Sequence, residues 1–172
     1  MISSSTTAPL ARLNVRVAAS TDAGRAKNAA ARAELETYGV RVLDLLCDVG
    51  DQAAVAAAMA ESVASMGRVD AVFVNAGVGG QAPSFAGMAA EEWERVMRIT
   101  LTSPFLMGRA AARQMIAQKS GGVIINIGST SGFLGRTRAL AYTAAKGGVA
   151  NLTRSMAIQL APHDIRVVLA VP

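Results

Sequence analysis

Cysteine is almost absent. With Cys47 the only one in 172 residues, no disulfide can close within the chain and no thiolate cage can hold a metal, and a reducing cytoplasm is the expected setting. There is one histidine, His163, and nowhere do His, Cys, Asp and Glu gather at metal-ligand spacing, so no metal is expected. No apolar run reaches the ~18 residues of a membrane span. The start, MISSSTTAPLARLN, lacks the apolar stretch of a secretory signal. Its acid-free, Ser/Thr-rich character touches on an organellar targeting peptide but fits a frayed terminus better. Charge of one sign is not concentrated either: 17 Lys+Arg against 12 Asp+Glu give +5, with the basic residues spread from Arg12 to Arg166. That spread describes a solvated surface and argues against a nucleic-acid stripe.

What the chain does have is apolar material, 52% hydrophobic residues, enough for the core of one globular domain. From about residue 14, short β-rich runs alternate with helical patterns: NVRVAAS, DAGRAKNAAARAELETYG, VRVLDLLCDV, DQAAVAAAMAESVASMG, RVDAVFVNAG. This alternation predicts βαβ units on a parallel sheet, an α/β fold. VRVLDLL, DAVFVNA, GVIINIG and IRVVLAV are nearly continuous apolar runs, as strands covered on both faces require. Gly39 suits a left-handed cap, Asp51 a helix N-cap and Gly67 a helix end. AAEEWERVMRI reads as one helix; Thr102 and Ser103, before Pro104, then mark the first turn of a separate helix, PFLMGRAAARQMIAQ. The pair Gly121-Gly122 turns the chain into the next strand.

Ligands of open parallel sheets bind beyond the carboxyl ends of the strands. Those ends here read LLCDVGD, VFVNAGVGG, INIGSTSG and LAVP, which bring forward Asp48, Asn75, Ser129 and Pro172. After INIGSTSG comes YTAAK, residues 142–146. Four helical residues turn through about 400°, so Tyr142 and Lys146 share a face. An ammonium beside a phenol favours the tyrosinate, bringing its proton within reach of neutral-pH exchange. Ser129, at a strand end, can hold a substrate oxygen in the same cleft. Taken alone, a Tyr and a Lys four apart are more often structural; the strand-end serine and the small residues of AAKGGVANLTRSMA, which permit close packing on another helix or subunit, shift that balance. His163 reads as solvated or as a helix-end cap, Cys47 as a small buried side chain, Trp93 as helix packing and the eight methionines as core filling.

NAG at Asn75-Ala76-Gly77, NIGSTSG with Ser129, and YTAAK together resemble, in order and spacing, the classical short-chain dehydrogenase/reductase family. The likeness runs from about Asn14 to Pro172, leaving 1–13 as a variable N-terminal segment. It implies a Rossmann-like, doubly wound parallel sheet with helices on both faces. It also implies an NAD(P)-dependent oxidoreductase that interconverts an alcohol and a ketone or aldehyde. In that family the tyrosine is the general acid/base, the lysine lowers its pKa and bonds the nicotinamide ribose, and the serine orients the substrate carbonyl; the roles fall on Tyr142, Lys146 and Ser129. CDV resembles the adenine-contacting segment, nominating Asp48 and Val49, while the NAG turn, Asn75, Ala76 and Gly77, lies beside the cofactor. The family's main subunit interface corresponds to helices near 104–118 and 140–161, which implies a homodimer or homotetramer acting on a small-molecule substrate, without nucleic acid or membrane.

The sequence departs from the family in four places. The first strand and its TGxxxGxG turn, whose backbone receives the pyrophosphate, have no counterpart. GVGGQA, residues 77–82, satisfies G-x-G-x-x-A, but Pro83 and SFAG follow it rather than a helix, and no acid stands about 20 residues on. Thr100 occupies the place of an asparagine that helps hold a relay water, with one hydroxyl for an amide. Ala18, Ala19 and Ser20 stand where an acid would grip the ribose of NAD, a slight lean to NADP with Arg25 as phosphate partner. The family's pattern also continues past the place of Pro172 into substrate-covering segments. These departures support a second reading, a catalytically silent scaffold or interaction subunit, and a third, a piece of a longer active enzyme.

Overall fold

The computed structural model describes residues 15–17, 22–80, 82 and 84–172. Ala18, Ala19, Ser20 and the side chain of Arg25, on which the lean to NADP rested, lie outside the described residues. Contacts divide the chain into two compact units, residues 1–47 and 48–172.

In the first unit, strand β1 (Val15–Val17) leads into helix α1 (Asp22–Glu36) and strand β2 (Val42–Asp44), which pairs parallel with β1 in the register Val15↔Val42. Asn28 Nδ2 of α1 donates to Asp44 Oδ1 at 3.3 Å, tying helix to strand. Gly39, at φ 72°, takes the left-handed conformation expected of it.

The second unit holds α2 (Gln52–Met66), β3 (Ala71–Val74), α3 (Ala90–Met97), α4 (Ser103–Gln118), β4 (Gly122–Ile127), α5 (Leu140–Leu160) and β5 (Ile165–Ala170). Strands run in the order β3-β4-β5, all parallel. Asp51 caps α2, its Oδ1 accepting the Ala54 N–H at 2.6 Å, and Gly67 at φ 87° ends it. At Gly121, φ 64°, a Cβ would lie 2.6 Å from the Asp164 carbonyl, so only glycine turns the chain here. One sheet face supplies Val74, Ile124, Ile165 and Val167 to a core closed by Met59 of α2, Ala111, Ala112 and Met115 of α4, and Met156 and Leu160 of α5.

One expectation is corrected. No break separates the helix of AAEEWERVMRI from the next, and Thr102 is no N-cap: its backbone is helical and its side chain makes no capping bond. A π-helical turn, Arg98–Thr102, joins α3 to α4, with the Ser103 N–H donating to the Arg98 carbonyl. Pro104 has no N–H for an ordinary helical bond and crowds the carbonyl four residues back. Widening the preceding turn lets the helix pass through it, and such single wide turns recur at functional sites.

Candidate active site

The β4–α5 corner is assembled from backbone. Gly128 N–H donates to the Ala170 carbonyl at 2.7 Å, so β4 and β5 stay paired to their ends. Ser129 then takes an extended conformation and caps a single 3₁₀ turn, Thr130–Gly132, its Oγ accepting the Ser131 N–H at 3.1 Å. A hydroxyl has one proton to give and two lone pairs; with one lone pair engaged, the Ser129 proton remains available to a substrate oxygen. Gly132 presses on α5: a Cβ there would stand 2.8 Å from the Lys146 carbonyl oxygen and 2.9 Å from its carbon. Deeper in, Asn126 Nδ2 donates to Thr153 Oγ1 at 2.9 Å, a second tie between β4 and α5.

α5 starts at Leu140, after Ala139, and carries Tyr142 and Lys146 on one face as the spacing requires. Lys146 is 4% exposed, and its Nζ donates to the Ile127 carbonyl at 2.6 Å, the last residue of β4. The same Nζ lies 5.6 Å from the centroid of the Tyr142 ring, within cation–π range. No carboxylate pairs with it among the described residues, and burial pushes the Lys146 pKa below the ordinary lysine value. Tyr142 lines a cavity of about 590 Å³ with Gly77, Gly79, Gly80, Arg138 and Ala139.

The loop after β3 closes the other side. A Cβ on Gly77 would meet Lys146 Nζ at 3.7 Å and Thr100 Cγ2 at 3.7 Å, so the bare glycine leaves room beside the ammonium. Thr100, fully buried in the π turn, donates its hydroxyl proton to the Val78 carbonyl at 3.1 Å and accepts the Val78 N–H at 3.0 Å. Both backbone groups of Val78 are thereby held by one side chain, and the hydroxyl is engaged as a clasp. Asn75 and Ala76 lie exposed in this loop.

Asp48 is placed differently. Its two oxygens accept Arg98 Nη1 at 3.1 and 3.0 Å, and Oδ1 also accepts the Gly50 N–H at 2.9 Å. These bonds hold its pKa below the usual carboxylate value, the Arg98 bond contributing most. Val49, half-buried, sits in the turn that follows. Of the nominated residues, Tyr142 and Gly77 line the cavity and Lys146 lies against the Tyr142 ring, while Ser129 is not among the described residues that line it; sequence reasoning missed the Arg98 partner of Asp48, the approach of Gly132 and the presence of Arg138. The small residues after YTAAK were expected to pack on another helix or subunit; a Cβ on Gly147 would instead stand 3.4 Å from the Gly132 carbonyl oxygen.

The family profile described as short chain dehydrogenase matches residues 2–172. The chain belongs to the short-chain dehydrogenase family. The (5R,7aS)-5-hydroxy-7a-methyl-1-oxo-2,3,5,6,7,7a-hexahydro-1H-indene-carboxyl-CoA reductase of Mycobacterium tuberculosis is 43% identical over 136 residues, 78% of this chain and 52% of that protein. Cis-4-hydroxycyclohexanecarboxylate dehydrogenase of Sinomonas cyclohexanicum is 39% identical over 138 residues, 80% of this chain and 55% of that protein. This short-chain dehydrogenase chain therefore spans about half the length of these curated relatives. Among solved structures, NAD+-bound xylitol dehydrogenase superposes with a TM-score of 0.85 at 31% identity over 92% of this chain and 60% of its own. A metagenomic short-chain oxidoreductase in complex with NADP gives 0.84 at 34%, over 92% and 70%. The Rossmann-like fold is thereby established.

Proposed function

We propose that the chain carries the proton-handling side of an NAD(P)-dependent oxidoreductase that interconverts an alcohol and a ketone or aldehyde. The observation that carries this reading is the joint placement of Tyr142 at the cavity wall and buried Lys146 behind it, bonded to the end of β4 two residues before Ser129. The Tyr142 hydroxyl gives its proton to a carbonyl oxygen, or takes one from an alcohol, in the general acid/base role. Ser129 donates its free proton to the same oxygen and fixes its position. Lys146 keeps positive potential beneath the phenol. The nicotinamide cofactor supplies the hydride.

The residues present fit one end of that cofactor. The open space at Gly77 beside the Lys146 ammonium suits a ribose hydroxyl, with Asn75 and Ala76 on the same loop. Toward a diphosphate they fit poorly. Among the described residues no glycine-rich turn leads directly from a strand into a helix, and the start of α2 is capped by the Asp51 carboxylate with Asp48 three residues before it, which disfavours another anion there. Neither NAD nor NADP is preferred by any described side chain.

Titration of the purified chain with NADH and NADPH, followed by nicotinamide fluorescence with stoichiometry from calorimetry, separates the readings. The expected result is saturable binding near one per chain. No binding up to millimolar cofactor, from a folded sample, moves the assignment to the scaffold. Self-association through α4 and α5 completes the proposal: Phe105, Ile116 and Ile158 are exposed on these helices. Sedimentation showing only compact monomer at micromolar concentration would count against it.

A further inference from the structure

The cavity beside Tyr142 carries an unbalanced charge. Its lining, Gly77, Gly79, Gly80, Arg138, Ala139 and Tyr142, contains no carboxylate. Arg95, just outside, donates to the Gly79 carbonyl at 3.0 Å but is neutralised by Glu92, which it meets at 2.8 and 2.9 Å. The Arg138 guanidinium has no ion-pair or hydrogen-bond partner among the described residues, while its backbone is held by the Ala82 N–H, which donates to the Arg138 carbonyl at 3.4 Å. The wall continues into the start of α5, where Ala139 offers no side-chain cap and the first turn holds no acid, so the positive end of that helix adds to the same field. A Cβ on Gly79 would meet nothing within 4 Å, and four residues of chain put the Arg138 and Tyr142 Cα atoms at most roughly 14 Å apart.

We propose that this cavity selects a substrate bearing a carboxylate, gripped by Arg138 while the reacting oxygen lies at Tyr142. The inference rests on the oxidoreductase reading and names its substrate class: small oxo or hydroxy acids rather than neutral ketones and alcohols. A planar guanidinium matches a carboxylate through two parallel hydrogen bonds, stronger than bonds between neutral groups. Because Arg138 is exposed, its replacement leaves the fold intact.

The test uses 4-oxopentanoate and its neutral counterpart 4-oxopentanamide on the full chain. Binding is read first, without cofactor, from the amide resonances of Gly79 and Gly80, so that the result does not depend on turnover. The acid should bind about tenfold more tightly than the amide. Arg138→Gln should remove that preference and Arg138→Lys should keep part of it. Equal binding of acid and amide, or a preference that survives Arg138→Gln, overturns the inference. Reduction by NADPH or NADH is read second: an acid preference in binding with no reduction of either ketone rejects the oxidoreductase reading alone. Reduction of both ketones with equal KM rejects the carboxylate assignment alone.

Discussion

At the β4–α5 corner, Ser129, Gly132 and Lys146 meet through backbone atoms packed to contact distance; at the corner before α2, the exposed side chains of Asp48 and Arg98 meet, with the Gly50 N–H donating to the same carboxylate. The first arrangement has almost no freedom, because a shift of the Thr130–Gly132 turn moves α5 at Lys146 itself. The second is a surface ion pair whose partners are about half exposed. Interiors pack like crystals and transmit displacement, whereas exposed pairs are screened and easily rearranged. The contrast separates the two tasks of the site: the proton-handling groups are held rigidly, while the carboxylate nominated for adenine already bonds a neighbouring arginine.

The sharpest way to break this contrast is to overfill the rigid corner. Gly132→Ala places a methyl within 3 Å of the Lys146 carbonyl and 3.2 Å of the Gly147 nitrogen, all backbone. The helix cannot yield there without shifting Lys146, so the substitution should cost about 1–3 kcal/mol. Gly135 in the same loop meets nothing within 4 Å, and Gly135→Ala should be neutral or slightly stabilising. Denaturant midpoints of the two variants check the pair; equal midpoints would refute the account of the corner.

How much of this could be read from the chain itself follows from where each contact lies. Asp51, Gly67 and Gly39 announce their roles locally, because a cap or a left-handed turn is a property of a few neighbouring residues. Tyr142 and Lys146 share a helix, so helical spacing alone places them together. The Arg98–Asp48 pair spans fifty residues and has no local signature. The π turn misled for a related reason: Thr102, Ser103 and Pro104 form a good local start for a helix, but the chain before them was already helical. Thr100 was legible as a substitution in a familiar pattern, while its grip on Val78 depended on a loop meeting that turn.

Removing the buried charge probes the same corner through pH. The folded-state pKa of Lys146 lies below its unfolded value because burial disfavours the ammonium. Between those two values the unfolded chain binds more protons than the folded one, so stability rises with pH across that window, by about 1.4 kcal/mol for each unit of depression. Below the folded pKa the penalty is present in full. Lys146→Met lacks this contribution and should show a flatter stability curve on the alkaline side. Parallel curves for parent and variant would mean that the ammonium is effectively solvated.

The smallest effect is expected at the other corner. The folded pKa of Asp48 lies below its unfolded value, so its contribution is present above the unfolded pKa, about 3.9, and fades as pH falls through the folded pKa. Solvent reaches both partners, which limits the pair to roughly 0.2–1 kcal/mol at neutral pH. Asp48→Asn should therefore lower the denaturant midpoint slightly at pH 7 and converge with the parent in acid, and 1 M salt should shrink the difference because the charges are exposed. The Gly50 N–H can still donate to the amide oxygen, so the Asp51 cap of α2 stays in place. A loss as large as that at Gly132 would mean that Asp48 braces the fold as firmly as the β4–α5 contacts do, and the distinction between a packed corner and a screened one would fail.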